Sequence, residues 1–146
     1  MIKERRDCIA IAETGQGKTA VFLIPIISYL IKRYSIQSSM SHQRMSHRIS
    51  QTSENMLATP KVVIISPTRE LAVQIATDAR CLALDTRLLD SIALVYGGAS
   101  MEDQAESLVK GGCEILVGTI GRLLDFIQRD MISIAQIEYL VIDQLT

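Results

Sequence analysis

The chain has 146 residues, 48% of them hydrophobic and 21% charged, with a net charge of −1, which suits one soluble globular domain with a single core and leaves too little chain for two. So even a charge balance gives no bulk basic field, and any contact with RNA or DNA must be local. Three cysteines, Cys8, Cys81 and Cys113, lie far apart without CxxC spacing and suit reduced thiols in a cytosolic or nuclear compartment, while His42 and His47 have no Cys or acidic cluster beside them that would make a metal site.

In chain order, a short apolar run from Cys8 to Ala12 predicts a strand. It leads into Ala12-Glu13-Thr14-Gly15-Gln16-Gly17-Lys18-Thr19, which fits the phosphate-binding loop with Ala at its first position. Glycines at 15 and 17 let consecutive N–H groups turn inward and form an anion site at a helix N-terminus. Lys18 would reach the β- and γ-phosphates of a nucleoside triphosphate, and the Thr19 hydroxyl would sit on Mg²⁺. The helix so started should run to about Lys32, with Pro25 as a kink. Its apolar stretch, Ala20 to Ile31, is broken by Pro25 and Ser28 and reads as too short for a bilayer. From Arg33 to about Thr59 the composition turns to Ser, Gln, Met and His without periodicity, predicting a long surface loop whose Arg33, Arg44 and Arg48 could touch a polyanion.

Strands and helices then alternate. Lys61 to Ser66 is a β-branched strand, and Ser66 is the expected N-cap of a helix with Pro67 in its first position and apolar residues at 72, 75, 76, 79, 82 and 83. Ile92 to Tyr96 is a strand ending at Gly97 and Gly98. Ser100 with Asp103 forms a capping box for a helix that stops at Gly111 and Gly112. Glu114 to Gly118 is a strand, Arg122 to Arg129 a helix, and Tyr139 to Ile142 a last strand ending in Asp143. This alternation predicts an α/β fold of right-handed βαβ units, a mostly parallel sheet with helices on both faces. Ligands of such sheets bind at the carboxyl ends of the strands. That edge collects the phosphate loop, Pro67 to Glu70, Gly97 and Gly98, Thr119 to Arg122, and Asp143, which stands where a Walker B aspartate holds Mg²⁺ opposite Thr19.

Ala12 to Thr19, Pro67-Thr68-Arg69-Glu70-Leu71-Ala72, Gly97-Gly98, Thr119-Ile120-Gly121-Arg122 and Val141-Ile142-Asp143, in this order, resemble the first RecA-like domain of a DEAD-box ATP-dependent RNA helicase. The wording from Pro67 to Ala79 and from Gly121 to Ile132 is most similar to the Vasa branch, and the resemblance covers nearly everything but the Ser-rich insertion. It implies that Ala12 to Thr19 and Asp143 handle ATP and Mg²⁺. Pro67, Thr68, Arg69, Glu70, Gly97, Gly98, Thr119, Gly121 and Arg122 would then line a groove for the sugar-phosphate backbone of single-stranded RNA. Helix N-termini and glycine amides can grip phosphates without reading bases, and an Arg adds a bidentate charge.

The chain departs from that pattern in ways that bear on activity. Gln144 stands at the carboxylate position of the signature tetrad, and an amide cannot act as general base, so hydrolysis should fall by about 10²- to 10⁴-fold. Thr119-Ile120-Gly121-Arg122 lacks the family's proline, and Gln16 replaces a usual serine. The adenine-reading glutamine segment, the serine-alanine-threonine motif and a second RecA-like domain with its arginines are not within the 146 residues. Residues 1–146 are therefore expected to form a partial N-terminal RecA-like domain that needs a second one in cis, and unwinding by this chain alone is not expected. The competing readings are a non-catalytic nucleotide- and RNA-binding relic, a P-loop NTPase of another class, and a chain that never folds stably. The expected location is the cytoplasm, with ribonucleoprotein granules or the nucleus as further options, and no membrane partner.

Overall fold

Four short runs rich in Val, Ile and Leu make the sheet. The structure, a computed structural model, describes residues 6–11, 13, 15–40 and 57–143. Its elements are α1 (Lys18–Met40), β1 (Val62–Ser66), α2 (Arg69–Leu82), β2 (Ile92–Val95), α3 (Met101–Lys110), β3 (Ile115–Thr119), α4 (Ile120–Gln128) and β4 (Tyr139–Ile142), with a single 3₁₀ turn, Leu89–Ser91, before β2. The strands lie in the order β2-β3-β1-β4, and every pairing is parallel.

Strand alternation sorts the core into two layers. Val62, Ile64, Ile115 and Val117 face α1 and α2 and pack with Leu23, Ile26, Ile27, Leu30, Ala72, Ile75, Ala76 and Ala79. Val63, Ala93, Val95 and Leu116 face the other way and pack with Leu108, Leu123 and Phe126 of α3 and α4. The buried stripe of α1, at 23, 26, 27 and 30, has the spacing of one helical face. Over Lys18–Ile36 this helix is long and apolar enough to cross a membrane by length and composition, contrary to the expectation from Ala20 to Ile31 alone. Its stripe is part of the sheet's core instead.

Several expected boundaries move. Helix α1 continues to Met40, so residues 33–40 are helical rather than part of a loop, and Pro25 lies inside the helix without ending it. A tertiary tie reaches the first added turn: Tyr29 Oη donates to Glu138 Oε2 at 2.8 Å, and Arg33 Nη1 pairs with Glu138 Oε1, holding the middle of α1 against the start of β4. The remainder of the expected insertion, 41–56, lies outside the described residues, while Ala58 forms a parallel bridge with Ile132. The cap of α2 is Thr68, not Ser66: the Leu71 N–H donates to Thr68 Oγ1 at 3.2 Å, so Pro67 precedes the helix. Helix α4 starts at Ile120, two positions before the expected Arg122. The run Cys8 to Ile11 forms no strand, and its Ile9 and Ile11 are 81% and 94% exposed. Burial pushes the Cys113 thiol up to about 12, with the charge of Glu114 adding to it, so Cys113 is a core side chain and no nucleophile.

Candidate nucleotide and phosphate-backbone site

Parallel register alone brings most of the sequence-predicted residues to one edge. Ser66 lies beside Thr119, Val95 beside Gly118 and Ile65 beside Ile142, so the turns that leave these strands emerge at the same end of the sheet. The Asp143 N–H donates to the Ile65 carbonyl at 2.9 Å, which fixes Asp143 next to the end of β1.

Three turns there are cross-linked. Arg69, the first residue of α2, donates from Nη1 to the Gly97 carbonyl at 3.3 Å. Arg122, in the first turn of α4, donates from Nη2 to the Ala99 carbonyl at 3.0 Å. Gly98 has φ +88°, and a Cβ there would sit 2.5 Å from Arg69 Nη1, so this position needs both the left-handed backbone and the missing side chain. Arg69 thus ties α2 to the turn after β2, and Arg122 ties α4 to the same turn. Pro67, Thr68 and Glu70 flank Arg69 and are exposed.

The N-termini of α2, α3 and α4 all open onto this edge, each carrying partial positive charge on its first amides. They differ in how those amides are used. Thr68 caps α2 and Ser100 caps α3, the latter accepting from the Asp103 N–H at 3.2 Å. Thr119 caps α4 with no side-chain bond, and nothing lies within 4 Å of where a Cβ on Gly121 would be. Nε and Nη1 of Arg122 are buried and have no hydrogen-bond partner among the described residues. A buried guanidinium with two unsatisfied nitrogens, beside uncapped helix amides, is complementary to an anion.

Of the phosphate loop, Glu13 and Gly15 to Thr19 are described, while Ala12 and Thr14 lie outside the described residues, as does Gln144. Gly15 and Gly17 have φ of +85° and +74°, the left-handed backbone that their sequence positions require. The loop passes directly into α1, whose first amides belong to Lys18 and Thr19, and the Val21 N–H donates to the Gly17 carbonyl at 3.2 Å. Lys18 and Thr19 are half-buried and Gly15 to Gly17 exposed.

A clamp joins the middle of α1 to the start of β4. Tyr29 and Arg33 of α1 both bind Glu138, and the Tyr29 and Tyr139 rings meet edge to face with centroids 5.4 Å apart. Burial raises the Glu138 carboxyl, but the bonds from Arg33 and Tyr29 outweigh it and hold it below its ordinary value. The same bond to Glu138 raises the Tyr29 hydroxyl. Helix rise puts Lys18 about 16 Å from Tyr29, and strand rise puts Asp143 about 16 Å from Glu138. No group of three or more His, Cys, Asp or Glu is gathered among the described residues, so an ion at Thr19 and Asp143 would complete its shell from phosphate oxygens and water, the habit of Mg²⁺.

Sequence reasoning missed Gln104. It is 8% exposed, and its side chain bonds both main-chain groups of Tyr96. The signal was its spacing of four from the buried Leu108 on α3, which places the two on one helical face.

A family model described as DEAD/DEAH box helicase matches residues 1–145. The chain is 40% identical over 144 residues to the ATP-dependent RNA helicase vasa of Drosophila melanogaster, covering 99% of this chain and 19% of that protein. It is 36% identical to the ATP-dependent RNA helicase RhlB of Shewanella denitrificans, covering 99% and 29% respectively. The chain spans about a fifth to a third of the curated relatives it matches. Among solved structures it resembles the RNA helicase Prp28 of Chaetomium thermophilum, crystallised with ADP, at a TM-score of 0.69 and 34% identity over 98% of this chain and 30% of that one. It also resembles the yeast DEAD-box splicing factor Prp28 at a TM-score of 0.67 and 31% identity, over 94% and 28%.

Proposed function

The chain belongs to the DEAD/DEAH box helicase family as a RecA-like helicase domain, and on that footing we propose that it binds ATP with Mg²⁺ and, separately, the backbone of single-stranded RNA. The observation that carries the RNA half is Arg122, whose buried Nε and Nη1 have no partner among the described residues while Nη2 pins the turn after Gly98. A phosphate oxygen pair would satisfy both nitrogens, and the amides at Gly121 and Gly98 would add donors that recognise no base. The nucleotide half is supported by the positive φ of Gly15 and Gly17 at the entry to α1 and by the place of Asp143 just past β4, beside the end of β1. Lys18 would bind the β- and γ-phosphates. Thr19 and Asp143 would hold Mg²⁺, which when bound neutralises phosphate charge. In a longer polypeptide with a second RecA-like domain, the chain would serve as the first half of an ATP-dependent RNA helicase.

Gln144 favours a binding role over turnover, because a carboxamide cannot take the proton of an attacking water. The test is titration with a fluorescent ATP analogue in Mg²⁺ and with labelled single-stranded RNA. Nucleotide binding should be weak, saturable and lost in Lys18→Ala and Asp143→Ala, and RNA binding should persist in Lys18→Ala. Phosphate release should be no faster than in Lys18→Ala. No binding of either ligand would overturn the proposal, and RNA-stimulated turnover that Lys18→Ala abolishes would overturn the binding-only role.

A further inference from the structure

The main-chain N–H and C=O of alternate residues on an edge strand point away from the sheet and must be dealt with. On β2 these belong to Ile92, Leu94 and, just past the strand, Tyr96. Arg80 Nη2 donates to the Ile92 carbonyl at 3.0 Å. At Tyr96 the Gln104 carboxamide does what a neighbouring strand would do. Its Oε1 accepts from the Tyr96 N–H at 3.0 Å, and its Nε2 donates to the Tyr96 carbonyl, also at 3.0 Å. Asn and Gln carry donor and acceptor in the one planar group that matches a residue's own N–H and C=O, and from α3 the longer Gln spans the gap. The next three residues are Gly97, Gly98 and Ala99, two of whose carbonyls receive Arg69 and Arg122. Two glycines have little conformational preference of their own, so the turn's direction must be imposed from its ends.

We infer that Gln104 is a positioning residue for the phosphate-gripping turn: by pairing with both main-chain groups of Tyr96 it sets the direction in which Gly97 to Ala99 leave the sheet, and with it the placement of Arg69 and Arg122. This rests on the RNA-backbone role proposed above. Gln104 itself touches no RNA.

The experiment compares the 146-residue chain with Gln104→Leu and Gln104→Glu, reading the amide resonances of Gly97 and Gly98 and the affinity for labelled single-stranded RNA. In Gln104→Leu the Gly97 and Gly98 resonances should move, those of Gly15 and Gly17 should not, nucleotide affinity should hold, and RNA affinity should fall about five- to thirtyfold, the effect of two lost hydrogen bonds. The carboxylate of Gln104→Glu accepts from Tyr96 but cannot donate, so this variant should be as weak at about pH 8 and should recover toward wild type as the pH falls toward about 4, as protonation, favoured by burial at this position, restores a donor. It also serves if Gln104→Leu does not fold. Wild-type resonances at Gly97 and Gly98, or RNA affinity unchanged in a wild-type background that binds RNA, would overturn the inference. If the unaltered chain binds no RNA while both glycine signals still move in the variants, the RNA role has failed and the control of the turn by Gln104 stands.

Discussion

The two edges of the sheet are built differently. At β2, Arg80 and Gln104 occupy outward main-chain groups, and α3 with α4 covers the face that carries Ala93 and Val95. At β4 the same face carries Leu140 and Ile142, 57% and 50% exposed, and no paired strand lies beyond it among the described residues. The candidate site straddles both halves. The turns proposed to meet RNA, around Arg69, Gly97 and Arg122, lie on the β2-β3-β1 side and are tied together by side-chain bonds. The residues proposed to meet nucleotide lie at the start of α1, whose buried stripe packs in the core, and at the end of β4, where the Asp143 N–H holds the Ile65 carbonyl; the Tyr29–Glu138–Arg33 clamp adds a tie between the middle of α1 and the start of β4. Side-chain bonds therefore hold the turns proposed for RNA to one another, whereas main-chain pairing and core packing place Asp143 and α1.

The largest expected effect tests the well-built half directly. Phe126 is fully buried against Val95, Leu116 and Leu123, so Phe126→Ala should lower stability by about 3–5 kcal/mol in a urea melt. A loss below about 1 kcal/mol would mean that the α4 layer is loosely packed and the contrast between the halves is not real.

Next comes the anion contact. Arg122→Ala should weaken RNA binding by about ten- to a hundredfold, the range of a charge-assisted bond to a desolvated partner, while leaving the nucleotide titration unchanged. Arg122→Lys should recover part of it, since a point charge replaces the fork but cannot also hold the Ala99 carbonyl in the same geometry. Equal losses of nucleotide and RNA affinity would show that the two halves are not separable.

How much of this was legible in the residues depends on the range of the interaction that decides each feature. Strand β4 falls at Tyr139–Ile142 as its apolar run predicts, and Ser100 caps α3 as its spacing to Asp103 predicts, because both are settled within a few residues. The gathering of Arg69, Gly97 and Arg122 at one edge was equally readable, since parallel strands put their carboxyl ends together. The features that could not be read were set by distant partners. Where α1 passes Lys32, Arg33 meets Glu138, more than a hundred positions away. The run Cys8 to Ile11 fails to become a strand because no described strand pairs with it, and an apolar run without a neighbour has no ladder to join. The cap at Thr68 instead of Ser66 is local yet was missed, because Ser66 ends β1 fully buried and its hydroxyl turns to the Thr68 carbonyl at 3.4 Å. Gln104 was hidden because a polar residue in a helix is usually read as facing solvent.

A smaller effect probes the clamp between α1 and the start of β4. The Arg33 and Glu138 side chains are 37% and 30% exposed, so water screens the pair, and Glu138→Gln should cost no more than about 1 kcal/mol. The sign of its pH dependence comes from the depressed carboxyl. Folded, Glu138 binds its proton more weakly than the unfolded reference of 4.5, so its contribution is complete above that pH and fades as the pH falls through the lower folded value. Urea melts of wild type and Glu138→Gln should therefore differ at neutral pH and converge in acid. A gap that widens in acid would contradict the clamp.

The smallest effect belongs to the open edge. Leu140→Ser removes an apolar side chain that is already more than half in water, so folding stability should change by no more than about 0.5 kcal/mol, an order of magnitude below Phe126→Ala. Exposed apolar residues on a free edge strand favour association between chains, so the same substitution should reduce light scattering of concentrated protein although it barely moves the melt. A loss of about 2 kcal/mol or more, the cost of truncating a buried side chain, would mean that something in the chain already covers Leu140, and the contrast between the two edges would disappear.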